Sequence, residues 1–370
     1  MDNIQTYFLY YFLIITTSFL VFISELLAKT KYSKLGSFIY WSAFILPFAI
    51  SANRYGIGTD YFHYVELYQE LEGYNNIFSA IQNIPYEPGW IILNFAVKVI
   101  FDNYQYIFII SSALTMFFIF KTLEYYRGTI YVWFGILIFL TTLYNASFNI
   151  IRQVLAAAIL LFAIKYIREK KFLIFTIFTM LAASFHYSAI IYFPMYWILN
   201  KSRNNSWNTF KKISAILICI IIVLMFENVF DLITNIDIFS KYSNYLIDLS
   251  KTSFGATISS VPIMLLILIN LKQLKNNAIG NDLVFLSFAG FVLSFLISLN
   301  MYIGRLVIYF TMTQILIIPM IIKMEANKNL KFLYTWLIVV YYFSLFTYNI
   351  IIHNGHQTIP YNWSYPENLK

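Results

Sequence analysis

The stretch ISAILICIIIVLMF, residues 213–226, carries no charge over about four helical turns. Apolar runs recur along the 370 residues, of which 60% are hydrophobic and 11% charged, with a mean hydropathy of +0.68. About a quarter of the residues in a soluble domain are charged, whereas runs of roughly 18 or more apolar residues are typical of membrane-spanning helices. A membrane barrel would instead show alternating strands of about ten residues. The sequence therefore predicts an all-α, polytopic transmembrane helical bundle.

We expect about 10–13 membrane segments, including broken or re-entrant helices, in a single integral membrane domain covering residues 1–370. The first apolar run lacks the basic segment and the cleavage site of a signal peptide, so it is predicted to be a span. The predicted spans are 4–28, 38–53, 104–121, 129–144, 147–166, 172–199, 213–229, 257–271, 283–300, 305–323 and 331–352, with a short apolar stretch at 89–101. The predicted outer loops are 53–88 and 230–256. The single cysteine, Cys219, excludes a disulfide within the chain.

The charge distribution predicts the orientation, because lysine and arginine concentrate in cytoplasmic loops. One set of loops holds 18 of the 25 Lys and Arg residues, and 12 of the 17 acidic residues lie on the opposite side. These loops are 29–37, 121–128, 165–171, 201–212, 272–282 and 323–331. With these loops in the cytoplasm, both termini lie outside. The stretch 89–101 must then enter and leave the membrane on the outer side, and the run 172–199 must break near ASFHYS (183–188). A rival topology makes both segments single spans and puts the loops 121–128 and 165–171 outside.

Four segments each carry an unusual polar residue toward the predicted outer half of the membrane: Arg54, Arg152, His186 and Arg305. An arginine in the hydrocarbon costs about 2.5 kcal/mol or more, so it normally faces a cavity or a partner. Helical spacing predicts one polar stripe around Arg152 and a second around Arg305. The stripes are Asn145, Asn149, Arg152, Gln153 and Ala156, and Arg305, Tyr309 and Thr313. A guanidinium suits phosphate or pyrophosphate because it donates hydrogen bonds in pairs and stays charged.

Each of these residues also has an interpretation without catalysis. An arginine at a helix end, such as Arg54, is often an anchor at the membrane interface. Arg152 can join helices through the other polar residues of its stripe. His186, beside Ser188, can be a histidine whose hydrogen bonds are simply satisfied.

The segment YGIGTD, residues 55–60, places two glycines after a predicted span. They predict a tight turn that presents Thr59 and Asp60 toward the helices. No strand–helix unit surrounds the segment, so nucleotide binding is not predicted. Asp60 and Glu87 are the acidic residues of the loop 53–88 that adjoin a membrane segment.

The remaining candidates lie in the second outer loop and the C-terminal tail. Tyr242 and Tyr245 can stack on sugar rings or lie at the headgroup level of the membrane. His353 and His356 have no accompanying cysteine or carboxylate, so they are predicted to be solvated, and no metal site is predicted.

The succession of motifs from about residue 50 to the C-terminus resembles the EpsG family of Wzy-type polysaccharide polymerases. The motifs are RYGIGTDYFHY (54–64), YEPGWIILN (86–94), IIRQVLAAAILLFAIKYI (150–167), AASFHYSAIIYFP (182–194), IGRLVIYF (303–310) and IPYNW (359–363). The resemblance implies a glycosyltransferase of the bacterial cytoplasmic (inner) membrane, acting in exopolysaccharide, capsule or O-antigen assembly. Such an enzyme joins undecaprenyl-pyrophosphate-linked repeat units at the outer leaflet and releases undecaprenyl pyrophosphate. The family-like positions are Arg54, Asp60, Arg152, His186 and Arg305, with Ser188 beside the histidine.

For this chemistry we expect Arg152 and Arg305 to stabilise the departing pyrophosphate. We expect His186 to act as the base, and Asp60 is the second candidate for that role. With His186 as the base, we expect Asp60 to contact the acceptor or the oxocarbenium ion. The expected substrate contacts are Arg54, Thr59, Glu87, Asn149, Gln153, Ser188, Tyr242, Tyr245 and Tyr309. No cofactor, metal or nucleic acid is expected, and the family implies a chain-length regulator and a flippase of the same pathway as partners.

Two other functions remain open. A lipid-linked oligosaccharide flippase would expose cationic residues to both leaflets and often has internal repeats. An O-antigen ligase carries out the same chemistry with a different acceptor. The motif order favours the polymerase.

Overall fold

The computed structural model describes residues 1–201, 255–296 and 301–363. Over these ranges the chain is helical and has no β-strand, so the all-α prediction is confirmed. Numbered along the described residues, the helices are α1 Asn3–Leu27, α2 Ser33–Ser42, α3 Ile45–Ala52, α4 Tyr61–Glu70, α5 Ile77–Asn83, α6 Pro88–Phe101, α7 Gln105–Tyr125, α8 Val132–Thr142, α9 Ile151–Arg168, α10 Phe172–Phe185, α11 Met195–Lys201, α12 Gly255–Ile269, α13 Leu271–Asn276, α14 Ala278–Leu296, α15 Met301–Thr311, α16 Gln314–Met324 and α17 Lys328–Phe346.

Six helical stretches in the described ranges are long and apolar enough to cross a membrane, as expected for a multi-pass membrane protein. They are Asn3–Leu27, Ser33–Ala52, Gln105–Tyr125, Ala278–Phe295, Gly304–Met324 and Lys328–Ile352. Shorter apolar helices include α6, α8 and α10. The predicted span 213–229, Cys219, Tyr242 and Tyr245 lie outside the described residues.

Helix α9 forms the centre of the bundle because it is apolar on almost every face. Val154, Leu155 and the three alanines at 156–158 are all buried. These small side chains let α7 and α10 pack closely on α9. Helices at the periphery keep apolar side chains exposed, such as Phe8 and Phe12 of α1, as a surface facing lipid requires.

The predicted break in 172–199 is confirmed. Helix α10 ends at Phe185, His186 is extended with φ −155° and ψ 112°, and a 3₁₀ helix follows at Tyr187–Tyr192. The chain becomes α-helical again at Met195. His186 therefore lies between two helical pieces, where its backbone is not part of a continuous helix.

The predicted span 305–323 is present as the stretch Gly304–Met324, and the structure shows a local break within it, since α15 ends at Thr311 and α16 begins at Gln314. Thr313, between them, donates its hydroxyl to the Phe310 carbonyl and pairs with Ser287, and such local bonding competes with helix formation. The predicted start of the span 147–166 is corrected by the structure, because α9 begins only at Ile151.

Contacts between the basic loops decide the relative sidedness of the segments. The Lys323 ammonium donates to the Arg127 carbonyl oxygen at 2.8 Å, and Arg168 pairs with Asp282 at 2.9 Å. Tyr125 donates to Glu169 at 3.0 Å. The rival topology puts the loops 121–128 and 165–171 on the opposite side of the membrane from Lys323 and Asp282, so the first two contacts show that it is wrong. At the other end of the bundle the Met1 amine donates to the Tyr361 carbonyl oxygen at 3.2 Å, which puts the start of the chain beside its C-terminal segment.

The charge bias predicts which end faces the cytoplasm, and labelling tests it. With Cys219 replaced by serine, we expect Gly128→Cys and Lys171→Cys to resist an impermeant thiol reagent in intact cells. Gly73→Cys, on the opposite end, should react. Gly73 and Gly128 suit this purpose because a Cβ at either position meets nothing within 4 Å. Labelling of Gly128→Cys in intact cells would reverse the assigned orientation.

Candidate active site

Glu87 is positioned by the local sequence YEPG. Pro88 favours the first position of a helix and forces the residue before it into an extended conformation. Glu87 accordingly has φ −66° and ψ 141°, and its backbone carbonyl accepts from Trp90 and Ile91 at the start of α6. Its side chain does not cap the helix. The carboxylate is therefore available to other segments.

The Glu87 carboxylate joins two of the predicted catalytic residues. Its Oε2 pairs with the Arg152 guanidinium, and its Oε1 lies 2.8 Å from Nδ1 of His186. The side chains of Glu87, His186 and Arg152 are only 7%, 11% and 16% exposed. We call Glu87, Arg152 and His186 the carboxylate cluster. Removing one member of a buried ion pair typically costs about 3–5 kcal/mol, because the other charge stays buried.

The Glu87 carboxyl is ionised. Burial raises its pKa, but the Arg152 charge and the hydrogen bond from His186 outweigh burial and lower the pKa to about 2. The position at the N-terminus of α6 also favours a negative charge. Glu87 is thus a carboxylate throughout the physiological pH range.

Helix α15 brings Arg305 and Tyr309 to the same place. Arg152 and Arg305 both act electrostatically on His186 and on the Tyr309 hydroxyl. That hydroxyl also lies 2.9 Å from the Ser188 hydroxyl. Gln153 donates its amide to the Arg305 backbone carbonyl, which fixes α9 against α15. The structure therefore gathers both arginines and the histidine at one site.

The EpsG family model matches residues 37–363 of the 370. The chain belongs to the EpsG family. It is accordingly a polysaccharide-polymerase-like membrane protein. No curated protein and no solved structure matches it.

Two aromatic residues of this EpsG-family protein were missed by the sequence analysis. The Tyr86 ring stacks on Arg152, with the guanidinium carbon 4.7 Å from the ring centroid. The Tyr64 hydroxyl donates to the Asn149 carbonyl at 2.7 Å beneath the same site. Tyr86 adjoins Glu87 in the motif YEPG, which was a usable signal. Tyr64 ends the motif RYGIGTDYFHY, but nothing in that motif relates it to Asn149.

Gly89 allows the helix ends that carry Glu87 and His186 to approach each other. A Cβ at Gly89 would meet the Ser184 hydroxyl at 2.4 Å and the Ser184 carbonyl oxygen at 2.8 Å. The first turn of α6 can therefore approach the end of α10 only because residue 89 has no side chain. This contact brings the two helix ends that carry Glu87 and His186 together.

Gly89→Ala is expected to destabilise the protein by about 1–3 kcal/mol, the usual cost of forcing an extra methyl group into a packed contact. Thermal unfolding of the full chain in detergent measures the effect. Gly73→Ala is the matched control, because its methyl group would meet nothing within 4 Å. An unchanged unfolding temperature for Gly89→Ala would show that α6 and α10 do not meet as described.

Arg54 lies in an aromatic sandwich. Its guanidinium carbon is 4.7 Å from the centroid of Phe108 and 4.8 Å from that of Phe148. The same group donates to the carbonyls of Ser51 and Phe148. The residue is 1% exposed, and it forms no ion pair within the described part of the chain. Its role as a substrate contact stays a prediction, whereas its role in joining segments is visible.

The predicted tight turn after α3 is present, but it leaves Thr59 exposed rather than presented toward the helices. Gly56 and Gly58 have φ values of +61° and +97°, which side chains rarely adopt. Thr59 is exposed, and its hydroxyl donates to the half-buried Asp60 carboxylate at 3.0 Å. Asp60 acts electrostatically on Tyr64 but has no ion pair to the carboxylate cluster in the described ranges. Tyr64 interacts electrostatically with both Asp60 and Arg152, so Asp60 lies beside the site.

The predicted stripe on one helix is wrong for Asn145 and Asn149, because both precede α9. They bind the C-terminal segment instead. The Asn149 amide donates to the His356 carbonyl and the Asn145 amide to the Thr358 hydroxyl, both at 2.9 Å. The physical reason is the 3₁₀ turn Ala146–Phe148, which ends the regular helical spacing. Thr313 is likewise outside α15, as described above.

No candidate metal site is formed by the described residues. His353 and His356 are exposed in the tail. What the site contains is two cations, one carboxylate, one imidazole and a pair of hydroxyls. This set can hold an anion and accept a proton.

Proposed function

We propose that this chain is a polysaccharide polymerase that joins undecaprenyl-pyrophosphate-linked repeat units at the outer leaflet of the bacterial inner membrane. The observation that carries the proposal is that Arg152 and His186, from two separate segments, meet on the buried Glu87 carboxylate, with Arg305 from a third segment near enough to act electrostatically on His186. Membership in the EpsG family supports the same class of reaction. The excess of positive over negative charge at the site favours an anionic ligand such as a pyrophosphate.

The donor half of the reaction would use the arginines. The bond between the anomeric carbon and the pyrophosphate oxygen breaks, and that oxygen keeps the electron pair. Arg152 and Arg305 stabilise the departing negative charge in a site with little water, where fixed cations are most effective. Undecaprenyl pyrophosphate is then released.

The acceptor half would use His186. The hydroxyl at the non-reducing end of the second repeat unit attacks the anomeric carbon, and a new carbon–oxygen bond forms. The hydroxyl proton passes to the imidazole, which returns it to solvent afterwards. Asp60 lies to the side of the site and would contact the acceptor or the positive sugar carbon.

Deletion of the gene tests the proposal against the two other functions. A polymerase-deficient strain should still cap its final acceptor with a single repeat unit, and the intact gene should restore long chains. Lipid-linked units that accumulate on the cytoplasmic side would indicate a flippase. Long chains that stay on the lipid carrier would indicate a ligase. Either of these results contradicts the proposal. A chain-length regulator and a flippase remain proposed partners.

A further inference from the structure

The two ring nitrogens of His186 have different surroundings. Nδ1 lies 2.8 Å from Glu87 Oε1, whereas Nε2 is buried and has no hydrogen-bond partner among the residues that the structure describes. An ionised carboxylate only accepts hydrogen bonds, so Nδ1 must be the donor in this pair. A neutral imidazole with its proton on Nδ1 has its lone pair on Nε2.

We infer that Glu87 is a positioning residue, which fixes the tautomer of His186 and leaves Nε2 as the atom that takes the acceptor proton. This inference rests on the proposed function and deepens it, because it assigns Glu87 to the base rather than to the substrate. It also predicts where the reacting hydroxyl must lie, on the Nε2 side of the ring.

The surroundings of Glu87 make it suitable for this role. Arg152 holds its second oxygen, and the Tyr187 amide donates to its first at 3.4 Å. The carboxylate is therefore fixed from two directions, and the imidazole that it binds is fixed with it. Such supporting contacts orient a catalytic histidine much as they orient a histidine bound to a metal.

The charges that face His186 explain why it needs a carboxylate. Arg152 of α9 and Arg305 of α15 both oppose a positive imidazole, while Glu87 at the start of α6 favours it. When the acceptor proton moves to Nε2, the ring becomes a cation near two guanidinium groups. Among the residues that the structure describes near His186, Glu87 supplies the negative charge that stabilises this state, in addition to its orienting effect.

Glu87→Gln tests the inference because the amide oxygen can still accept from Nδ1 while the negative charge is lost. We expect polymer formation to fall at least about tenfold, a part of the ~10²–10⁴-fold contribution of a general base. We also expect the acid limb of the pH–rate profile to move to lower pH, since the protonated imidazole loses its stabilising charge. The substrate is lipid-linked oligosaccharide extracted from cells that lack this chain. Glu66→Gln, on the exposed face of α4, is the matched control and should leave both rate and profile unchanged.

A double-mutant cycle separates an effect through His186 from an effect through Arg152. If Glu87 acts through the base, adding Glu87→Gln to His186→Ala should lower the remaining rate less than twofold. The same change added to Arg152→Ala should still shift the acid limb. A full tenfold loss on the His186→Ala background would overturn the inference.

Nitrogen NMR of the wild-type chain gives a second test that needs no Glu87 variant. The chain has four histidines, so the His186 signals are assigned by their loss in His186→Ala. The neutral His186 ring should carry its proton on Nδ1. A proton on Nε2 would overturn the inference and leave the proposed function intact. Wild-type membranes that form no polymer from the extracted oligosaccharide would instead overturn the proposed function itself.

Discussion

Arg152→Ala is expected to lower polymer formation by about 10²–10³-fold, the effect of removing one donor that stabilises a developing negative charge. The Arg152 guanidinium pairs with Glu87, which is the only carboxylate that His186 contacts in the described ranges. We propose that this guanidinium binds the departing pyrophosphate. Arg152→Lys should recover only part of the rate, because an ammonium keeps the charge but lacks the paired donors. The measurement is polymer formed per amount of protein in membranes supplied with extracted lipid-linked oligosaccharide.

The loss of Arg152 also leaves Glu87 as an unpaired buried charge, so folding must be separated from catalysis. The variant Arg152→Ala with Glu87→Gln removes both charges and should regain stability without regaining activity. Lys98→Ala, which removes a cation from the far end of α6, is the matched control and should keep the wild-type rate. A normal rate of polymer formation by stable Arg152→Ala protein would remove this arginine from catalysis.

His186→Ala is expected to lower polymer formation by about 10²–10⁴-fold, the usual contribution of a general base. The protein should stay folded, because the alanine removes a neutral ring and leaves the Glu87–Arg152 pair in place. The pH–rate profile of the residual activity should lose its acid limb. The same membranes and oligosaccharide serve for this measurement.

His63→Ala is the control for His186, since His63 lies on α4 with its side chain 71% exposed. It should behave as the wild type at every pH. Full activity in His186→Ala would move the search for the base to Asp60, the second acidic residue near the site.

Much of the fold could be predicted from the sequence. Apolar runs located α1, α7 and α17, because hydropathy is a local property of the chain. The break at His186 followed from the charge bias, because that bias places the loops on both sides of the run 172–199 in the cytoplasm. The charge bias grouped the loops 121–128 and 323–331 on one side, and the bond from Lys323 to the Arg127 carbonyl confirms that grouping.

The composition of the site was predictable only in part. Arg152, His186 and Arg305 were selected because polar residues are costly in a membrane and must face a partner or a cavity. Arg54 was selected on the same ground, yet its partners are the rings of Phe108 and Phe148. The cost of burial shows that a partner exists, but it does not reveal whether that partner is a substrate or the protein itself.

The central place of Glu87 was decided by the tertiary structure alone. It is 65 residues from Arg152 and 99 from His186, and no local pattern relates positions that far apart. They meet because Gly89 allows α6 to touch α10 at Ser184, and because the alanines of α9 allow α10 to pack on it. By itself the sequence determined which segments enter the membrane and which polar residues need partners, since both depend on the free energy of moving a side chain into lipid. The choice of partners depends on packing between distant segments, and only the folded bundle fixes it.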